Sequence, residues 1–139
     1  MPDKDFLIER NILKIGNTLL NMRSDDLKEF DITSNQSETL LFFDKNEGAP
    51  ISNLKEHLKI SHQAARNIIE RMKEKDLLYV TVSDSDARVR KVYLTENGKN
   101  ICEELKLKGS NVGGNILRYL NNDEKQELLV LLEKILKSI

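Results

Sequence analysis

The chain has 139 residues, 39% of them hydrophobic and 32% charged, with a formal net charge of −1. That is the composition of an ordinary globular protein of about one domain. Its longest apolar runs, LLFF at 40–43 and LLVLL at 128–132, fall far short of the roughly 20 residues a membrane span requires. The single cysteine, Cys102, excludes an intrachain disulfide and a cysteine-based zinc cluster. The start, MPDKDF, has no apolar signal core, so a cytoplasmic location is expected.

In chain order, Ile8, Ile12, Ile15, Leu19 and Met22 fall four, three, four and three apart and predict one long amphipathic helix. A second helix is expected over about Ser34–Asn46, carrying Leu40, Leu41 and Phe43 and stopped by Gly48 and Pro50. Ser52 is a candidate cap for a short helix with Leu54 and Leu58. Lys59 and Ile60 then form a tight turn, and Ser61 caps the next helix, whose buried stripe is Ala65, Ile68, Ile69 and Met72. The apolar period then changes to two. Leu78, Val80 and Val82, the polar run SDSDA, and Val92 and Leu94 predict a two-stranded hairpin with a long loop.

Thr95 caps a further helix, on which Ile101, Leu105, Val112, Ile116 and Tyr119 fit one face. Gly109, Gly113 and Gly114 each cost about 1 kcal/mol relative to Ala, so a bend or weak point is expected there. Asn121 and Glu124 form the capping-box pattern of a last helix with Leu128, Leu132, Ile135 and Ile139. The expected fold is mainly α with a small β-hairpin wing (α+β): a winged helix-turn-helix unit at 32–98 between a dimerisation helix at 1–31 and dimerisation helices at 99–139. The apolar stripes of the outer helices exceed what a small central unit covers, so they are expected to pair with the same helices of a second chain.

Charge is uneven. From Lys59 to Lys91 there are eight Lys/Arg against five Asp/Glu, a net +3, which leaves −4 on the other 106 residues. A basic middle between acidic flanks suits an anionic partner. Two helices, a tight turn and a hairpin in this order make a winged helix-turn-helix. On its second helix His62, Gln63, Arg66, Asn67 and Glu70 share the face opposite Ala65, and no Asp or Glu occurs from Lys59 to Ile69.

Such a face suits the major groove of double-stranded DNA, where Gln and Asn pair bidentately with adenine and Arg with guanine. Ser61 and the free amides of the first turn suit a phosphate. Arg88, Arg90 and Lys91 would give the hairpin a second contact, in a narrow minor groove or on phosphates. Asp84 and Asp86 start like a calcium loop, but Arg88 stands at the third ligand position. His57 and His62 lie on different elements, and there is no phosphate loop or catalytic triad. No cofactor, metal or enzymatic activity is therefore expected. The competing readings are a winged-helix module that binds protein, and a ligand or thiol sensor acting through Cys102.

At these residues the chain resembles the MarR (multiple antibiotic resistance) family of transcriptional regulators. Asp86-Ala-Arg88-Val-Arg-Lys-Val92-Tyr-Leu94-Thr95-Glu-Asn-Gly98 is similar to the family's D-x-R wing followed by an apolar-x-L-T-x-x-G pattern. Glu70-Arg71-Met72 stands where the family's recognition helix has an acid, Arg and Leu. Ile32-Thr-Ser-Asn-Gln36 through Leu40 resembles the lead-in to its second helix. Asp76 occupies a position where the family commonly has Gly. The N-terminal cysteine of the peroxide-sensing members has no counterpart.

The resemblance implies a homodimer joined through the first and last two helices, with one helix per subunit in a major groove and the wing in the flanking minor groove. It implies Arg88 as the wing-tip arginine and Asp86 as its orienting partner. The expected function is a sequence-specific, double-stranded DNA-binding repressor of an inverted repeat, modulated by a small-molecule effector.

Overall fold

Side-chain caps set where the elements begin. In the computed structural model, which describes residues 1–139, the Asp3 carboxylate accepts the Phe6 amide at 2.9 Å and starts α1, Lys4–Glu29. Thr33 and Gln36 satisfy each other's amides, both at 3.1 Å, in a capping box that starts α2, Ser34–Lys45. The next helix, α3 (Ile51–Leu58), begins earlier than expected: Pro50 holds the cap position, and Ser52 lies inside the first turn without a capping bond. Ile51 packs against the core and is drawn into the helix.

Lys59 adopts the left-handed conformation (φ 55°), and the Ile60 amide reaches back to the Lys55 carbonyl at 3.2 Å. That closes α3 in one residue. Ser61 then opens α4, His62–Glu74, by accepting the Ala64 amide at 3.0 Å. Asp76 makes a further left-handed stop (φ 58°), as Asp31 does after α1, with the Leu77 amide on the Met72 carbonyl. Asp is among the few residues that tolerate this region, so it does the work of the glycine usual at that place.

The hairpin strands β1 (Leu78–Val82) and β2 (Arg90–Leu94) pair antiparallel, Leu78 with Leu94 and Val82 with Arg90. The period of two sends Leu78, Val80, Val92 and Leu94 inward, while Val82 at the far end stays exposed. Thr95 caps α5, Glu96–Ile116, through the Gly98 amide at 3.0 Å. This helix runs unbroken through Gly109 and ends two residues past Gly114, so Tyr119 falls outside it and is 85% exposed instead of lying on the expected face. Asn121 and Glu124 form the expected capping box, at 2.8 and 3.0 Å, and start α6, Asn122–Leu136.

The core is one cluster, running from Ile32 to Leu105. Phe43, Leu40, Leu54, Ile69, Met72, Leu105 and Val92 are fully buried in it, each worth about 1.5–3 kcal/mol relative to exposure. Neither α1 nor α6 has a buried residue. Their apolar stripes, Ile8 at 53% and Ile135 at 43% among them, stand open to solvent.

Two lysines fix α5 to its neighbours from different sides. Lys106 contacts Asp44 of α2 at 2.6 Å, and Lys108 contacts Glu29 and Asp26 of α1 at 3.2 and 3.7 Å. No helix is long and apolar enough to cross a membrane.

Candidate nucleic-acid interface

The face of α4 opposite Ala65, Ile69 and Met72 carries His62, Gln63, Arg66, Asn67 and Glu70, all exposed. Burial of the first three residues sets the roll of the helix and thereby aims the others outward. Gln63 Nε2 donates to Asn67 Oδ1 at 3.0 Å. Glu70, the first acid along this face, is neutralised by Lys73 at 3.4 Å. Ser61 uses its hydroxyl on the Ala64 amide, which leaves the His62 and Gln63 amides of the first turn without a partner inside the helix.

The wing loop is organised by Asp86. Its carboxylate accepts the Arg88 backbone amide at 2.9 Å, Arg88 Nε at 3.2 Å and Arg88 Nη2 at 3.4 Å. First the Arg88 amide and then its guanidinium hold the Asp86 carboxyl below the usual carboxylate range, so it stays ionised at neutral pH. The Arg88 side chain, tethered at one edge, is still 92% exposed. Arg90 reaches back to the Ala87 carbonyl at 3.4 Å.

Arg88 and Arg90 line one groove with His62 and Arg66, together with Pro50, Ile51 and Ser52. The structure thus brings the start of α4 and the wing together into one strongly basic cleft. Lys91 is not part of it. Successive strand residues face opposite ways, and Lys91 pairs with Thr81 on the hairpin face that carries the stacked Tyr79 and Tyr93 rings.

A second groove on the other side of α4 gathers Asn67, Arg71 and the capped start of α2, Thr33 to Gln36. Arg71 was not among the predicted contacts, although its place four residues after Asn67 puts it on the same side of the helix. Not every cation of the basic segment is available. Lys75 is turned inward, donating to the Asp31 carbonyl and to Gln36 Oε1.

Cys102 is fully buried, with Sγ 3.9 Å from the Leu40 carbonyl. Burial, and then the Asp44 carboxylate, push its thiol up to about 11. A protonated, enclosed thiol lacks the electropositive, accessible setting of a reactive one. His57 stacks on Phe42, with centroids 4.9 Å apart, and lines a different groove from His62.

A tight two-helix unit with its second helix aimed outward, flanked by a basic hairpin, defines a winged helix-turn-helix protein of the regulator type. Over residues 30–89, from the end of α1 to the wing loop, the chain matches a family model described as "MarR family". It is 24% identical over 132 residues to an uncharacterised HTH-type transcriptional regulator, YybA, of Bacillus subtilis strain 168, covering 95% of this chain and 88% of that protein.

Among solved structures it is similar to a cysteine-to-serine mutant of MarR from E. coli complexed with operator DNA. That likeness has a TM-score of 0.80 and 25% identity, and covers 96% of each chain. A MarR transcriptional regulator from Methanosarcina mazei Go1 has the same fold, with a TM-score of 0.85, 20% identity and 95% coverage of each chain.

Proposed function

We propose that this chain is a cytoplasmic, non-enzymatic transcriptional regulator that binds double-stranded DNA sequence-specifically as a homodimer, repressing from an inverted-repeat operator and responding to a small-molecule effector. The observation that carries the reading is the shared basic cleft, in which His62 and Arg66 of α4 meet Arg88 and Arg90 of the wing. One element offers base-reading side chains and the other phosphate- and minor-groove-seeking guanidinium groups, on one side of the molecule. The operator complex of the E. coli MarR mutant supports the same reading.

The assigned contacts are Ser61, His62, Gln63, Arg66 and Asn67 on the helix, and Arg88 and Arg90 on the wing, with Asp86 holding Arg88; Lys91, expected as a further wing contact, lies on the opposite face of the hairpin. Residues 32–98 bind DNA, while 1–31 and 99–139 join the two chains. Dimer symmetry asks for half-sites about 10 bp apart.

The test is selection of bound duplexes from a random pool, followed by titration at several salt concentrations. An inverted repeat should emerge, with affinity falling steeply as salt rises. Arg88→Ala should weaken binding to every duplex by about 1–3 kcal/mol. Unchanged affinity in that variant at physiological salt would remove the wing from the interface.

A further inference from the structure

Two amide side chains on the exposed face of α4 are already bonded to each other: Gln63 Nε2 donates to Asn67 Oδ1 at 3.0 Å. Positions four apart on a helix lie one above the other. Gln63 is in the first turn of α4, the part of a recognition helix that reaches base edges. A carboxamide has one acceptor oxygen and two N–H donors. With one N–H spent on Asn67, Gln63 keeps one donor beside one acceptor.

That pair complements adenine in the major groove, which presents the N7 acceptor next to the N6 donor. Guanine presents two acceptors and cytosine a lone donor. Asn67, whose oxygen faces Gln63, is not free to take the same bidentate pose.

Resting on the DNA-binding reading above, we propose that Gln63 reads one adenine in each half-site and that Asn67 is the positioning residue that orients its amide. The two residues form a single specificity element and not two independent adenine contacts. Both are exposed and outside the core, so substitutions there leave folding intact, which circular dichroism verifies.

The experiment is selection from a random duplex pool with the full-length protein and four variants. Wild type should favour adenine at one position per half-site by roughly 5- to 150-fold. Gln63→Glu should move that preference to cytosine, because a carboxylate accepts from the cytosine N4 amino group. Asn67→Ala should flatten the preference at the same position. Asn67→Asp retains an oxygen that accepts from Gln63, and should keep the adenine ranking even where its added charge lowers affinity for all duplexes. Gln63→Ala should flatten the position completely, leaving nothing further for Asn67→Ala to remove.

If Asn67→Ala weakens all duplexes equally and leaves the adenine ranking intact, Asn67 is only a backbone contact and the coupling is wrong. Adenine retained by Gln63→Glu would likewise overturn the assignment. A wild-type pool that yields no consensus at all would instead reject the DNA-binding reading itself, and this inference with it.

Discussion

A β-carbon on Gly98 would overlap the carbonyl oxygen of Leu77. Thr95 is the reason for the crowding. Its hydroxyl donates to the Asp76 carbonyl at 2.6 Å while accepting the Gly98 amide, and its own amide donates to the Leu77 carbonyl at 3.1 Å. The end of the α4 turn and the start of α5 are thereby drawn into backbone contact. Gly98→Ala is expected to cost about 1–3 kcal/mol, as overpacking does, read as a lower urea midpoint at unchanged slope. Cys102 has a signature of its own in alkaline solution. The folded thiol sits at about 11 against an ordinary value of 9.0, so the folded state holds this proton more tightly. Its contribution to stability is complete below the ordinary value and is lost as pH rises through the folded one. Thermal melts across that window should show a decline, part of which disappears in Cys102→Ala.

At the scale of elements, the boundaries are set by pairs that lie three residues apart in sequence, which is why most were legible without coordinates. Ser61, Thr95 and the Asn121–Glu124 box all cap the helices expected of them. The exception was α3, where the packing of Ile51 outweighed the capping preference of Ser52. The turn between α3 and α4 carries a local cost, since Lys59 has a side chain in the left-handed region. Replacing it by glycine removes a strain of about 1–2 kcal/mol and adds about 0.5–1 kcal/mol of unfolded-state entropy loss. Lys59→Gly should therefore leave the fold unchanged and raise its stability slightly, by about 0.5–1 kcal/mol in chemical denaturation. A fall in stability would mean that the Lys59 side chain does packing work the geometry does not reveal.

The whole molecule divides into a packed centre and uncovered ends. Every residue of the core cluster lies between Ile32 and Leu105, and α1 and α6 have none. Apolar residues at helical spacing stand exposed on both ends, Ile8, Ile12 and Ile15 on α1, and Leu132 and Ile135 on α6, the kind of surface that marks an interaction site. Replacing both Leu132 and Ile135 by Glu should give a folded monomer by sedimentation, because neither side chain supports the central core. Duplex affinity should fall with it, since two tied half-site contacts become one. A double variant that sediments and binds like wild type would place the interface elsewhere. Within the chain, Lys106 ties α5 to α2 of the packed centre, and Lys108 ties α5 to α1.

Periodicity, caps and the acid-free first half of α4 are local properties, and local spacing alone determined the element order, the outward roll of α4 and the position of the wing. The D-x-R spacing also placed Asp86 within reach of Arg88, because an aspartate two residues before an amide accepts it without help from the rest of the fold. What the tertiary structure decided is which of the charges work together. Lys75 resembles the other cations of its segment in sequence, yet it is spent on Asp31 and Gln36, more than thirty residues away. Lys91 adjoins Arg90 in the chain but faces the other side of the hairpin, while Arg66 and Arg88, twenty-two residues apart, share one cleft. Register and packing fix these groupings. Both depend on contacts between distant segments, and no count of charges along the chain contains them.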